Sequence, residues 1–179
     1  PQVLDLDETL GASVGMLRRL IGENVRLEWR PGEGVPPVRV DPAQLEQILA
    51  NLVVNARDAI EGTGTIRIET GDHRVRGGED AEDADVPSGR YASLVVQDDG
   101  RGIEPASLER IFEPFYTTKA LGRGTGLGLS TVYGAVRQNG GAVDVASEVG
   151  RGTRFRVLLP AHRADGETGN SRDGSAPGA

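Results

Sequence analysis

Two asparagines stand four residues apart in the stretch DPAQLEQILANLVVNARDAIE, residues 41–61. At about 100° per residue, Gln44, Gln47, Asn51, Asn55 and Asp58 form one polar stripe of a helix. Leu45, Ile48, Leu49, Leu52, Val53, Ala56, Ala59 and Ile60 form a broad apolar face beside it. Asn is a poor helix former, so a plain solvated face would favour Glu and Lys. Amide oxygens stacked one turn apart can serve a ligand or a cation. They can equally bond a neighbouring loop. A second candidate is Asp98. In Tyr91–Asp98 the alternation puts Leu94, Val96 and Asp98 on one face of a strand. An ionised carboxylate on an apolar, inward face is costly without a donor. It caps its own turn, Asp99-Gly100-Arg101-Gly102, or it meets a donor from a ligand. A third is GRGTGLGL, residues 122–129, just before an apolar helical segment from Leu127 to about Asn139. Glycines opening a helix present free N–H groups and the positive dipole end to phosphate. The loop lacks the Gly-Lys-Ser/Thr of a P-loop, and its third glycine is misplaced for a dinucleotide fingerprint. A flexible hinge is the competing explanation.

The elements that must position these groups follow from local pattern. Leu6, Leu10, Val14, Leu17 and Ile21 have helical spacing over Leu4–Ile21, and Gly22 ends the run. Val25–Trp29 alternates as a strand, with Trp29 read as a packing residue. Val38–Val40 is a short strand, and Asp41-Pro42 is a helix start. Thr65–Thr70 and Tyr91–Asp98 are strands. Residues 71–90, acidic and poor in large apolar groups, read as a long surface loop, with His73 a solvated member of it. Ser107–Ile111 is a short helix. Ala142–Ser147 and Thr153–Leu159 form a hairpin around Gly150-Arg151-Gly152. Beyond Pro160 the composition falls to Ala, Gly, Ser, Asp and Arg. Residues 161–179, His162 included, therefore read as a disordered tail or linker after a domain of residues 1–160.

Composition narrows the function classes. A net charge of −7 argues against a nucleic-acid surface. No run is long enough to span a bilayer, so this stretch inserts in no membrane. The absence of Cys excludes disulfides and thiolate metal sites and suits a reducing cytoplasm. A first residue of Pro and a single Met at position 16 fit a piece of a longer protein.

Taken in order, the motifs resemble those of the histidine-kinase ATP-binding domains. Asn51-Leu-Val-Val-Asn55-Ala is similar to their N box. Asp98-Asp-Gly100-Arg-Gly102-Ile103 is similar to the first glycine box. Ile111-Phe112-Glu113-Pro114-Phe115-Tyr116 is similar to the F box. Gly124-Thr125-Gly126-Leu127-Gly128-Leu is similar to the second glycine box, and Gly150-Arg-Gly152-Thr153 to the closing motif. NARDA and FEPFYTTK look most like hybrid sensor kinases of the cell-cycle and nitrogen-regulation type.

The resemblance implies an α/β two-layer sandwich of the gyrase, Hsp90, histidine-kinase and MutL superfamily, with three main helices on one face of a mixed sheet. It implies ATP and Mg²⁺ as cofactors. Asn55 would hold Mg²⁺, with Asn51 facing the same site; with Lys119 they would make up the catalytic set. Asp98 would accept from the adenine amino group, with Gly100, Gly102 and Ile103 around the base. Residues 116–126 would form a lid in which Lys119 and Arg123 contact phosphate. Gly124, Thr125, Gly126, Leu127 and Gly128 would line the phosphates, with Thr153 at the closing strand. Phe112 and Phe115 would dock the lid or partner helices. Asp58 would line the same site, at a place where many relatives carry Lys; helical phase points Arg57 away from the stripe. The implied activity is transfer of the γ-phosphoryl of ATP to a histidine on a separate phosphoacceptor domain, which is missing from this stretch, and indirectly to a response-regulator receiver domain. The implied placement is cytoplasmic, with a parent protein that can be membrane-anchored. A gyrase- or MutL-like ATPase would instead carry a Glu base where Asn51 stands. A binding module that has lost nucleotide would not keep every box.

Overall fold

A computed structural model describes residues 1–77, 81–117 and 128–164. Helix α1 (Leu6–Ile21) starts where the Asp5 carboxylate accepts from the Glu8 N–H at 2.9 Å. It ends at Gly22, whose φ of 84° few side chains tolerate. Helix α2 (Pro42–Ala59) starts the same way: Asp41 accepts from the Ala43 N–H at 2.9 Å, and Pro42 occupies the first turn. Its buried residues are Leu45, Ile48, Leu49, Leu52, Val53 and Ala56, the face that helical spacing selects. Two shorter helices follow, α3 (Pro105–Leu108) and α4 (Gly128–Gln138). The first lies earlier than the expected Ser107–Ile111, because Pro105 is preset for a first helical turn.

The strands are β1 (Gln2–Leu4), β2 (Val25–Arg30), β3 (Val38–Val40), β4 (Gly64–Val75), β5 (Gly89–Asp98), β6 (Ala142–Glu148) and β7 (Gly152–Pro160). The main sheet runs β2-β4-β5-β7-β6, and β1 pairs with β3 apart from it. Among the described residues only β2–β4 is parallel within the main sheet, so the sheet is mixed. Ile68 faces Val96, which faces Phe155, and Leu94 faces Val157. These residues share one core with the buried faces of α1, α2 and α4. The result is the expected two-layer α/β arrangement with three main helices on one face.

The segment read as a loop over residues 71–90 is mostly strand. Pairing continues from Ile66↔Asp98 to Val75↔Gly89, which leaves 76–88 as the connection. Within it, Ala81–Asp83 forms a 3₁₀ turn at the outer face of the sheet. Val86 meets Val75, Tyr91 and Leu158 there, and the Tyr91 hydroxyl donates to the Pro87 carbonyl at 2.7 Å. His73 is a strand residue, half-buried and paired: its Nε2 lies 2.8 Å from Asp83 Oδ2. Buried Arg156 donates to Asp83 at 2.8 Å and to Asp144 at 2.6 Å. The acidic composition concealed this because the partner of Asp83 lies 73 residues away.

Burial alone would raise the pKa of Asp83; the hydrogen bonds from His73 and Arg156 outweigh it and hold the carboxyl below its ordinary value. The favourable contribution is therefore present above about pH 4 and is lost as acid carries the solution down through the folded-state pKa. Arg156→Ala strands a buried carboxylate and is expected to cost about 3–5 kcal/mol, read by urea denaturation at neutral pH. A change within experimental error would mean that water replaces the guanidinium.

Past β7 the chain stays attached a little longer than composition suggests. Ala161 N–H donates to the Arg90 carbonyl at 2.9 Å and His162 N–H to the Pro37 carbonyl at 2.7 Å. The rest of the expected tail, 165–179, lies outside the described residues.

Candidate nucleotide site

Asp98 is the last residue of β5, and the parity of that strand carries it to the helix side with Leu94 and Val96. It is 4% exposed. Its Oδ1 accepts from the Gly100 N–H at 2.8 Å. Burial pushes its pKa up to about 6, against the opposing pull of the Gly100 and Thr153 backbone amides. Asp98 thus caps its own turn and still bears the cost of burial, which leaves it suited to a further donor.

Thr153 lies directly across from Asp98 in the β5–β7 register and is buried. Its hydroxyl is 2.8 Å from the Ser147 hydroxyl, which accepts from the Ile103 N–H at 2.8 Å. The geometry therefore brings together Asp98, Gly100, Gly102, Ile103 and Thr153, all named from sequence. It adds Ser147, which sequence reasoning missed; the only signal was a hydroxyl at the end of an expected strand.

The turn after Asp98 is locked to its neighbours. Arg101 N–H donates to the Ala59 carbonyl at 2.9 Å, and Gly150 N–H to the Arg101 carbonyl at 2.8 Å. A Cβ on Gly100 would stand 2.5 Å from the Ala59 oxygen. One on Gly102, where φ is 76°, would overlap the Glu148 carbonyl oxygen. Close packing of the turn against α2 and the β6–β7 hairpin is reason enough for both glycines, without a ligand.

That packing sets the end of α2 beside Asp98. Asn55 is one turn before Ala59, and Asn51 one turn before that. Both are half-buried, and among the described residues neither amide has a hydrogen-bond partner. Asp58 is within 3.8 Å of Arg57, whose guanidinium turns to α1 and donates to the Leu20 carbonyl at 3.0 Å. The stripe has a different fate at its other end. Gln44 donates to Gln138 Oε1 at 3.1 Å and accepts from Asn139 Nδ2 at 2.8 Å. Bonding to a neighbouring element is thus the role of Gln44, whereas Asn51 and Asn55 make no such bond to any described residue.

Helix α4 packs along α2. Because the start of α2 meets the end of α4, the two run antiparallel. Ten residues of α4 at about 1.5 Å each carry it about 15 Å, which brings Gly128 level with Asn55 on α2. The Gly128 end of α4 therefore lies toward the half of α2 that carries Asn55.

Phe112 rests against Tyr133 and Phe155, with ring centroids 5.5 and 6.3 Å away, so it is anchored in its own core. Phe115 is 75% exposed, with φ at 66°. Tyr116, the first residue of the expected lid, donates its hydroxyl to Ser107 Oγ at 3.0 Å, and the Arg110 guanidinium covers its ring. Lys119, Arg123, Gly124, Thr125, Gly126 and Leu127 lie outside the described residues. Among the described residues, no three His, Asp or Glu side chains are placed to hold a metal ion, and no helix is long and apolar enough to cross a membrane.

A mixed sheet with helices on one face and an acidic, buried corner at the end of α2 defines a class. Residues 40–163 match the family model of the histidine kinase-, DNA gyrase B- and HSP90-like ATPases, and the chain belongs to that family. It is 44% identical over 160 residues to the sensor kinase CckA of Brucella abortus (strain 2308), covering 89% of this chain and 17% of that protein. Among solved structures it resembles full-length ShkA in complex with AMPPNP, with a TM-score of 0.69 and 27% identity over 90% of this chain and 31% of that one. It also resembles the mycobacterial sensor histidine kinase MprB, with a TM-score of 0.65 and 25% identity over 89% of this chain and 96% of that one. The chain spans less than a third of the length of the curated relatives it matches.

Proposed function

We propose that residues 1–160 form the ATP-binding catalytic domain of a sensor histidine kinase, working in the cytoplasm. The observation that carries this reading is the buried Asp98 carboxylate, in a turn bonded to the end of α2, the helix on which Asn51 and Asn55 are half-buried amides without a partner among the described residues. Asp98 accepts from the adenine amino group. Asn55 would hold Mg²⁺ through its amide oxygen, the kind of ligand that cation takes. A half-buried amide left over by the packing fits that role. When bound, the ion neutralises charge on the phosphates. Gly128 and the residues before it give N–H groups to the phosphates, with Lys119 and Arg123 as further contacts.

The reaction breaks the bond between the γ-phosphorus and the bridging oxygen, forms a phosphorus–nitrogen bond to a histidine on a separate helical domain, and releases ADP. The chain contributes position and charge neutralisation. A receiver domain then takes the phosphoryl group from that histidine. The gyrase- and MutL-like alternative is disfavoured because Asn51 has no useful basicity where those enzymes are expected to carry Glu.

Asn55→Ala should weaken Mg·ATP by about 1.5–3 kcal/mol, the range for contacts to a charged partner, and leave metal-free adenosine unchanged. Calorimetry with both ligands tests this. Equal losses would remove Asn55 from the metal.

A further inference from the structure

We infer that Gln44 is a positioning residue for the nucleotide phosphates, acting as a register pin between α2 and α4; this rests on the nucleotide-binding reading above. Gln44 joins the first turn of α2 to the end of α4 through Gln138 and Asn139. Asn139 also donates to the Ala135 carbonyl at 2.8 Å, so the pin is tied to the backbone of α4. The core beside this contact is apolar, built from side chains such as Leu45, Leu52, Val132 and Val136. Apolar surfaces fix separation better than register, and a polar contact across them selects one register.

The pin sits at the fixed end of α4. Gly141 N–H donates to the Val136 carbonyl at 2.9 Å, and Gly140 N–H to the Arg137 carbonyl at 3.0 Å, which closes that end just before β6. Gly128 is about 15 Å away along the helix. A rotation of about 5° at the pin therefore moves the phosphate-facing end by more than about 1 Å, enough to matter for a positioned reaction. The adenine contact at Asp98 belongs to the sheet and does not move with α4.

The test compares the chain with Gln44→Ala and Gln44→Leu, the second keeping volume while losing both hydrogen bonds. ATP affinity should fall about fivefold or more in both variants, with adenosine affinity within about twofold of the parent. Equal losses for the two ligands, or none, would overturn the inference. The register has its own readout. The chain has no Cys, so Glu61→Cys and Thr131→Cys accept spin labels without background. Their distance distribution should be narrow in the parent and broad with Gln44→Ala; an unchanged narrow distribution would overturn the pin. Broadening on Gln44→Ala, with a parent chain that binds no ATP, would sink the nucleotide reading and leave the register pin standing.

Discussion

Incubated with Mg·ATP alone, the purified chain is expected to leave both of its histidines unlabelled and to release phosphate only at background rate. Phosphoryl transfer needs a nucleophile in line with the γ-phosphorus. His73 is on the outer face of the sheet, seven residues along β4 from the partner of Asp98, about 23 Å away at strand rise. Its Nε2 is occupied by Asp83. His162 follows the far end of β7, about 30 Å from Thr153 by the same measure. Hydrolysis needs an activated water, and Asn51 cannot act as the base. General-base help is typically worth about 10²–10⁴-fold, and its absence should depress turnover by that order. A helical phosphoacceptor domain supplied separately should become labelled on its histidine. Labelled ATP with parallel assays of protein label and free phosphate decides the matter. Stoichiometric label on His73 or His162, or brisk phosphate release, would show an autonomous enzyme.

The second large effect concerns Asp98. Guanine presents a carbonyl oxygen where adenine presents an amino group, so ATP should bind more tightly than GTP by about 1–3 kcal/mol. Binding should also depend on pH. In the free chain the carboxyl titrates at about 6. Below that value adenine binding must displace a proton, and affinity should fall by up to about tenfold per unit. ATP titrates in the same region, so the informative quantity is the difference between the parent and Asp98→Asn, whose binding should lack this component. Stability runs with the opposite sign to that of Asp83. Because folding raises the pKa of Asp98, its ionised form costs stability, fully above about pH 6 and not at all below about pH 4. The cost is on the order of 3 kcal/mol. Thermal unfolding of the two proteins across this window measures it. GTP competing as well as ATP, with parallel pH profiles for both proteins, would remove Asp98 from the base.

Much of this site was legible because its signals are local and repeated. The apolar face of α2 recurs over about five turns, and the parity of β5 alone places Asp98 on the inward side. Capping residues such as Asp5 and Asp41 act within three residues of themselves. Such patterns survive any tertiary arrangement that buries the same face. The remaining features depend on pairs of side chains far apart in the chain. Gln44 meets Asn139 across 95 residues, and Arg156 meets Asp83 across 73. No local period distinguishes Gln44, which bonds a neighbour, from Asn55 on the same stripe, which bonds none of the described residues. The reading of 71–90 as a loop failed for that reason: His73 and Asp83 have a partner in Arg156 on β7. Elements, inward faces and motif order are written locally, in residues a few positions apart. Which amides are spent on packing and which are left for a ligand depends on strand register and helix packing, and those are set by the whole core at once.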